Sequence, residues 1–476
     1  MTQPPARTRV HAFSDDALGD HDAVGLAGEI RAGRVSPLEA VEAAIRRVEK
    51  VQPELNGLAC ADFDRARDRA RALQPGQHFF TGVPTLVKDN SDVQGLPTQQ
   101  GSTAYVARPA RADGDFAAMF LGQGHVSLGK SQLSEFGFSA SAEFVRSDPV
   151  RNPWHTGHSS GASSAGSAVF VAAGAVPIAH ANDGGGSIRI PAGCNGLVGL
   201  KPTRGRVPQD KMLREMPVRI VADGVVTRSV RDTAAFLREA EKLHRNLKLR
   251  PVGDVTGPGH KRLRVAMMID SVGGLHTDPQ VADAVRGTGK LLESLGHHVE
   301  EVDAPVPEVF IDDFLTYWSL LATFIVATGK RTLGPSFDRR LTDNLTRGLA
   351  RNGLRRSYRL PATITRLALS RHVSARFFRQ YDVALTPTLA LPTPELGWLD
   401  PNQSYEVLID RLVRLASFTP LQNATGDPAI SLPLGLTADD MPIGVQIAAS
   451  QGHEVRLLEV AYELEAAQPF ARIQDA

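Results

Sequence analysis

Apolar residues recur at helical spacing in several stretches of the chain, and the first stretch has a clear start signal. Its apolar face is formed by four residues that lie three or four positions apart, Leu38, Val41, Ile45 and Val48. Ser36 and Glu39 have the spacing of a capping box, and Pro37 occupies the first helical position. The pattern therefore predicts an amphipathic helix that begins at Pro37.

A later stretch predicts a strand, a helix and a second strand in succession. Residues 263–269 are typical of a strand, residues 279–295 of a helix that stops at Gly296, and residues 299–302 of the next strand. A helix between consecutive strands favours parallel pairing. The pattern thus predicts an α/β fold with a mixed or parallel sheet covered by helices.

Composition adds the expectation of a large soluble enzyme. The chain has 476 residues, 42% of them hydrophobic, which is enough for an extensive core. We find no run of ~20 apolar residues and no signal peptide, so we expect no membrane association. Two cysteines provide no disulfide framework and indicate a cytoplasmic location.

Charge is uneven in one segment only. Residues 331–379 contain twelve Arg and no Lys, a composition that nucleic-acid-binding proteins also show. The whole chain carries a formal charge of only +1. We therefore interpret the segment as a solvated helix face and expect no nucleic-acid partner.

Candidate chemistry is concentrated in residues 161–207, where two clusters of Ser among Gly and Ala flank an apolar run. In the second cluster Gly184, Gly185 and Gly186 directly precede Ser187. The backbone N–H groups of these four residues are suited to bind the anionic oxygen of a tetrahedral intermediate, and one such donor contributes about 3–4 kcal/mol. We therefore predict that Ser187 is a nucleophile beside an oxyanion hole.

A serine nucleophile needs a base, and the sequence offers two kinds. His155, His158 and His180 lie nearby, but none belongs to a recognisable triad motif. Lys88 ends a short apolar strand, residues 84–88. Because burial lowers the pKa of a lysine and makes its neutral amine available as a base, we favour Lys88.

These motifs resemble, in order, those of the amidase signature family of serine hydrolases. The family's Lys segment resembles residues 82–90, and its Gly-Gly-Ser-Ser-Gly-Gly-Ser run resembles residues 161–167. Its Thr-Asp-x-Gly-Gly-Ser-Ile-Arg run resembles residues 182–189, with Asn182 in place of Thr. The similarity implies a single large domain, residues 1–476, whose mixed, twisted β-sheet is covered by helices on both faces.

The resemblance also implies the site and its chemistry. The motif core spans about residues 80–232, and the catalytic triad carries over as Ser187, Ser163 and Lys88. Ser163 would relay a proton from Ser187 to Lys88 and would follow a non-proline cis peptide bond after Ala162. The reaction would proceed through an acyl-enzyme, with no cofactor and no metal.

Substrate specificity is expected from two variable regions, about residues 206–223 and 305–380. In the first, Met212, Leu213 and Met216 are candidates for a mobile lid over the substrate. In the second, an apolar helix carries Tyr317 and Trp318, which are interpreted either as pocket-lining residues or as core.

The expected substrate is a small molecule, a hydrophobic or aryl amide or a carbamate. This expectation follows from the similarity to family members that act on hydrophobic or aryl amides, on cyclic nylon oligomers and on urethanes. We expect a monomer or a homodimer.

Besides a non-catalytic binding protein on this fold, two other functions are kept open. One is the glutaminase subunit of a tRNA-dependent amidotransferase, which shares the triad. The other is a nucleotide-binding protein, because residues 124–131 match the pattern G-x-x-x-x-G-K-[ST]. That pattern requires a loop between a strand and a helix, whereas residues 126–128 are typical of a strand.

Overall fold

The strands of the chain assemble into sheets of mixed direction, and the computed structural model describes residues 8–475. The described residues form thirteen strands: β1 (Leu58–Ala61), β2 (Pro84–Lys88), β3 (Val126–Ser131), β4 (Arg151–Asn152), β5 (His155–Ser159), β6 (Ile178–Asp183), β7 (Val198–Lys201), β8 (Ala222–Thr227), β9 (Arg264–Met267), β10 (His298–Glu301), β11 (Val383–Pro387), β12 (Ala429–Leu436) and β13 (Pro442–Ala448).

The same residues form fifteen α-helices: α1 (Ala23–Arg31), α2 (Pro37–Leu55), α3 (Phe63–Ala72), α4 (Asp115–Gly122), α5 (Ala165–Ala172), α6 (Arg189–Asn195), α7 (Lys211–Arg214), α8 (Val230–Leu243), α9 (Pro279–Ser294), α10 (Val309–Thr332), α11 (Asn344–Arg355), α12 (Leu360–Phe377), α13 (Tyr405–Leu415), α14 (Pro420–Thr425) and α15 (Glu454–Ala467). Short 3-10 helices are found at Glu135–Gly137, Val272–Gly274, Arg339–Leu341 and Ser357–Arg359.

The main sheet has eight strands in the order β10-β9-β11-β13-β12-β7-β8-β6. The three strands at one end run parallel, and the remaining neighbours are antiparallel. Helices α5, α6, α8, α9 and α15 pack on these strands. The predicted α/β class with a mixed sheet is confirmed, and so is the parallel unit, which is β9, α9 and β10.

A second sheet, β1-β3-β2, meets the first where β2 lies beside β6. Side chains join the two strands: Thr85 Oγ1, on β2, donates a hydrogen bond to the Ile178 carbonyl of β6 at 2.9 Å. Every residue of both strands is buried. This seam between the two sheets therefore places Lys88, at the end of β2, and the turn after β6 in the interior.

The first predicted helix forms as expected. Ser36 Oγ accepts a hydrogen bond from the Glu39 N–H at 3.2 Å, and Glu39 Oε2 accepts one from the Ser36 N–H at 2.8 Å. The helix, α2, extends beyond the predicted face to Leu55 and ends at Asn56 in the left-handed conformation. Its apolar face is buried in the core.

Helix α10 is longer than the predicted apolar segment. By length and composition it is the one helix among residues 8–475 that is able to cross a membrane, and 33% of its most apolar window is buried. In the fold it packs on α11 and α12.

Most of residues 124–131 belongs to strand β3 and does not form a phosphate-binding loop. Lys130 is buried and makes an ion pair with the buried Asp89 at 3.0 Å. Its Nζ also donates to the Pro97 carbonyl and to Thr98 Oγ1. Because this lysine is fully engaged inside the protein, the nucleotide-binding alternative is wrong.

The buried ion pair gives a stability prediction. Substitution Lys130→Met leaves Asp89 buried without its counter-ion and should lower the free energy of unfolding by about 3–5 kcal/mol. The exposed Lys330 is the control, and Lys330→Met should change that free energy by less than about 0.5 kcal/mol. Urea unfolding curves measure both variants. Saturable ATP binding by the wild type that is lost in Lys130→Met would restore the phosphate-loop interpretation.

Candidate active site

Strand β2 ends at Lys88, which lies in the interior where β2 runs beside β6. The side chain is fully buried. Its Nζ donates hydrogen bonds to Ser163 Oγ at 2.7 Å and to Asn182 Oδ1 at 2.6 Å. Burial lowers the pKa of Lys88 to about 7, although the carboxylates of Asp223 and Asp183 act in the opposite direction. A substantial fraction of Lys88 is therefore a neutral amine at neutral pH.

The structure brings Lys88, Ser163 and Ser187 together. Ser163 lies just before α5, and Ser187 lies in the turn between β6 and α6. Ser187 Oγ accepts a hydrogen bond from the backbone N–H of Ser163 at 3.3 Å. One residue, Ser163, thus contacts the lysine through its hydroxyl and the second serine through its backbone.

Two details of the expected triad differ in the structure. No cis peptide bond is present among residues 8–475, so the expected cis bond after Ala162 is absent. The trans chain already places Ser163 Oγ within hydrogen-bond distance of Lys88, and a non-proline cis bond costs about 3–4 kcal/mol. In addition, the Ser187 hydroxyl contacts the backbone of Ser163 rather than its hydroxyl.

The glycine turn before Ser187 is held by the Asp183 carboxylate. Asp183 Oδ1 accepts a hydrogen bond from the Gly186 N–H at 2.8 Å, so this N–H is not available to an oxyanion, contrary to our expectation. The N–H groups of Gly184, Gly185 and Ser187 have no partner among the described residues. They are the remaining candidates for the oxyanion hole.

Gly186 itself is required by the close packing of the turn. Its φ is +132°, which side chains rarely adopt, and a Cβ at this position would lie 2.4 Å from Thr419 Oγ1. That hydroxyl donates to the Gly185 carbonyl at 2.6 Å. The loop before α14 therefore presses directly against the turn.

A buried ion pair anchors the turn to the sheet. Arg189 Nε donates to Asp183 Oδ2 at 2.8 Å, and both side chains are completely buried. Arg189 also donates to the side-chain oxygens of Gln422, Asn423 and Gln446 at 3.0, 2.7 and 2.6 Å. Burial alone would raise the pKa of Asp183, but Arg189 lowers it to about 2. The pair therefore supports the turn that contains Ser187.

Ser187 lines an apolar cleft. Residues Phe310, Ile311, Phe314, Leu315 and Trp318 of α10 form one side of it. The other lining residues come from residues 137–140, from the serine-containing segments and from the α13–α14 region: Gly137, Phe138, Ser139, Ala140, Ala162, Gly185, Ser187, Ile190, Ile409, Leu412, Val413, Ala416, Ser417 and Pro420. No charged side chain lines this cleft among the described residues.

Of the predicted pocket residues, only Trp318 lines the cleft. Tyr317 is fully buried on another face of α10, where its hydroxyl donates to the Val218 carbonyl at 2.8 Å. Met216 packs in the same apolar cluster as Tyr317 and does not line the cleft. Met212 is 59% exposed on the short helix α7, and neither it nor Leu213 reaches the cleft.

The lid expected from residues 206–223 is therefore not found over the cleft. The segment is tied down at both ends: Arg206 makes an ion pair with Glu454 at 2.6 Å, and its last two residues, Ala222 and Asp223, begin the buried strand β8. The sequence of α10 predicted an apolar helix but not which of its faces lines the cleft.

Sequence reasoning missed the amide pair that flanks the lysine. Asn182 Nδ2 donates to Asn90 Oδ1 at 3.0 Å, while Asn90 Nδ2 donates to Asn182 Oδ1 at 3.3 Å. This reciprocal pairing fixes the oxygen that accepts from Lys88. The sequence did show that Asn182 replaces the family's Thr, which was a signal of a local difference. It did not show that Asn90 is the hydrogen-bond partner of Asn182.

The described residues contain no group of three or more His, Cys, Asp or Glu side chains placed to hold a metal ion.

Comparison with known proteins decides the family. The sequence profile described as Amidase matches residues 39–458, which is most of the chain. The chain belongs to the amidase signature family. Its fold is the one this family shares, and members of the family act on small-molecule amides.

Relatives of this amidase align over nearly their whole length. The candidate amidase AmiC of Mycobacterium leprae is 58% identical over 467 residues, covering 98% of this chain and 99% of that protein. The 6-aminohexanoate-cyclic-dimer hydrolase of Paenarthrobacter ureafaciens is 34% identical over 474 residues, covering 94% and 95%. The structure of a 6-aminohexanoate cyclic dimer hydrolase complexed with substrate superposes with a TM-score of 0.86 at 31% identity, covering 96% and 99%.

The lowered pKa of Lys88 predicts the pH dependence of this amidase. If the neutral amine is the active form, kcat/KM should fall about tenfold per pH unit below pH 7 and reach a plateau above it, because Lys88 loses its proton as the pH rises. A pH profile of anilide hydrolysis measures this, with enzyme stability checked separately at each pH. A profile that is flat between pH 5 and 8 would contradict Lys88 as the base.

Proposed function

We propose that this amidase hydrolyses the C–N bond of hydrophobic or aryl amides, and of carbamates, through an acyl-enzyme on Ser187. The observation that carries the proposal is the chain of contacts from Lys88 through Ser163 to Ser187, which ends at the wall of an apolar cleft. A buried amine, two hydroxyls and free backbone amides are the parts that acyl transfer needs.

Attack begins with proton transfer. The neutral Lys88 amine takes the proton of the Ser163 hydroxyl, and Ser163 takes the proton of Ser187 as its oxygen bonds to the substrate carbonyl carbon. This requires the Ser187 side chain to rotate from the Ser163 backbone toward the Ser163 hydroxyl. Catalytic hydrogen bonds are often long before substrate binds, so the observed 3.3 Å contact is compatible with the relay.

The tetrahedral oxyanion is then held by backbone amides, for which Gly184, Gly185 and Ser187 have free N–H groups. Collapse of the intermediate breaks the C–N bond, and the proton held on Lys88 returns through Ser163 to the leaving nitrogen. Water attacks the acyl-enzyme by the same route in reverse. The products of an amide are a carboxylic acid and an amine, and those of a carbamate are a carbonic acid monoester and an amine.

The lining of the cleft favours an apolar substrate over glutamine, which the glutaminase alternative would require. A glutamine substrate brings an ammonium and a carboxylate, and burying either without a partner is costly. The lining residues of the cleft include no charged side chain, whereas three aromatic rings, Phe310, Phe314 and Trp318, follow one another along α10. Such a wall suits an acyl chain or an aryl group.

Carbamates are included because the scissile C–N bond and the attacked carbonyl are the same as in an amide. Only the group on the other side of the carbonyl differs, and it would lie in the same cleft. A cytoplasmic location and a monomeric or homodimeric state stay predictions.

The nucleophile assignment predicts a loss of turnover and a covalent adduct. Ser187→Ala should lower kcat at least 1,000-fold with the fold intact, and Lys88→Met should do the same, without additive effects in the double variant. A fluorophosphonate should label the wild type at Ser187, as located by peptide mass mapping. Ser164 is the control serine, because its hydroxyl donates to the Asn182 carbonyl and should stay unlabelled. Labelling at Cys194 alone would instead indicate a thiol enzyme.

The cleft predicts where selectivity resides. Trp318→Ala removes a wall residue and should lower kcat/KM for an aryl anilide relative to acetamide by ten- to hundredfold, which corresponds to about 1–3 kcal/mol of pocket contact. Met212→Ala is the matched control on the rejected lid and should leave this ratio unchanged. Equal ratios in both variants and the wild type would place the substrate outside the cleft.

A further inference from the structure

A buried histidine lies beneath the strand that carries Lys88, and its hydrogen bonds are fully defined. The backbone N–H of Lys88 donates to His180 Nδ1 at 3.3 Å. Since a backbone N–H only donates, Nδ1 carries no proton, and the proton of the neutral ring lies on Nε2. His180 Nε2 lies 3.3 Å from Asp223 Oδ1 and donates to it.

The surroundings hold this ring in one orientation. His180 stacks on Phe116 with ring centroids 4.4 Å apart. It is completely buried, and burial lowers its pKa, so the ring is neutral at neutral pH. The three residues therefore form a directed series of hydrogen bonds, from Lys88 to His180 and from His180 to Asp223.

The carboxylate at the end of this series is also near the amine of Lys88. Strands β6 and β8 pair Asn182 opposite Asp223, and directly opposite side chains lie on the same face of a sheet. Asn182 accepts from Lys88 Nζ, so Asp223 lies one strand beyond that contact. Asp223 is buried, and its Oδ2 has no hydrogen-bond partner among the described residues.

We propose that His180 and Asp223 are positioning residues for Lys88, which hold its backbone at the end of β2 and place an anion near its amine. Asp223 sets the tautomer of His180, and His180 supplies the acceptor for the Lys88 N–H. When Lys88 takes a proton, the Asp223 charge stabilises the ammonium without contacting it, because no carboxylate of the described residues lies within 4 Å of Nζ. The role of this pair in turnover rests on the proposed function of Lys88 as the base.

Other charged groups face the same region and have to be considered in any pH experiment. The carboxylate of Asp183, at the end of β6, also raises the pKa of Lys88. It forms an ion pair with Arg189. Lys130 on β3 faces His180 and is paired with Asp89. Asp210 faces Asp223 and accepts from the backbone N–H of Asp115.

Asp223→Asn is the decisive variant, because it keeps the shape of the side chain and removes its charge. We expect the pKa of Lys88 to fall by on the order of one unit, since an anion near an ammonium is lost. The measurement is the ¹³Cε titration of lysine-labelled enzyme, in which only ten lysines contribute signals and Lys88→Met assigns the relevant one. Asp210→Asn is the matched control and should shift that pKa by less than about a third of a unit.

A second pair of variants separates the two nitrogens of the ring. The amide of Asn lies as many bonds from Cα as Nδ1, and that of Gln as many as Nε2. His180→Asn therefore keeps an acceptor for the Lys88 N–H, whereas His180→Gln loses it. We expect kcat to fall about 10- to 100-fold more in His180→Gln than in His180→Asn, with KM unchanged, as for outer partners that orient a reacting group.

The outcomes distinguish this proposal from the proposed function. A Lys88 pKa that is unchanged in Asp223→Asn overturns the positioning role, whatever the activity. If the pKa of Lys88 falls and the acidic limb of the kcat/KM profile moves to lower pH by the same amount, both the positioning role and the role of Lys88 as the base are supported. A lowered Lys88 pKa with an unmoved limb supports the positioning role and overturns Lys88 as the base.

Discussion

The buried ion pair between Asp183 and Arg189 is the interaction on which the rest of the site depends. It lies at the point where β6 ends and α6 begins, and its hydrogen bonds reach α14 and β13. The pair closes the turn that presents Ser187, because the Asp183 carboxylate holds the Gly186 N–H. Burying the charges of Asp183 and Arg189 away from water is costly. The cost is offset here because nearly every hydrogen-bond donor and acceptor of the two side chains has a partner. The hydrogen bonds that stabilise the two buried charges therefore also determine the shape of the turn that contains Ser187.

The two buried cationic side chains nearest to the serines have different hydrogen-bond partners. Arg189 donates to a carboxylate and to three amide oxygens. Lys88 donates only to a hydroxyl and to amide oxygens, and burial lowers its pKa to about 7. The structure thus separates a cation that organises the loop from an amine that is able to exchange a proton, although both lie within one buried region.

The sequence predicted those parts of the fold that follow from local pattern. The capping box at Ser36, the strand that ends at Lys88 and the unit of β9, α9 and β10 all form where periodicity placed them. The clustering of Lys88, Ser163 and Ser187 followed from ordered motifs, because each motif lies on a buried element that meets the others at the seam of two sheets.

The remaining features depend on contacts between distant segments, which periodicity does not encode. Flexible apolar residues at 212–216 resembled a lid, but none of them lines the cleft, and Met212 is exposed. The partner of Asn182 is 92 positions away, at Asn90, and the partner of His180 is 43 positions away, at Asp223. A single sequence contains these residues but not their pairing.

The residues proposed for catalysis and a large part of the cleft lining lie in different parts of the chain. Lys88, Ser163 and Ser187 lie on or beside buried elements of the sheets, whereas α10 and α13 contribute one side of the cleft from more than a hundred positions later. Substitutions in those two helices change the shape of the cavity without touching the amine or the hydroxyls. The range of molecules that fit the cleft and the geometry of the three polar side chains are therefore able to change independently of each other.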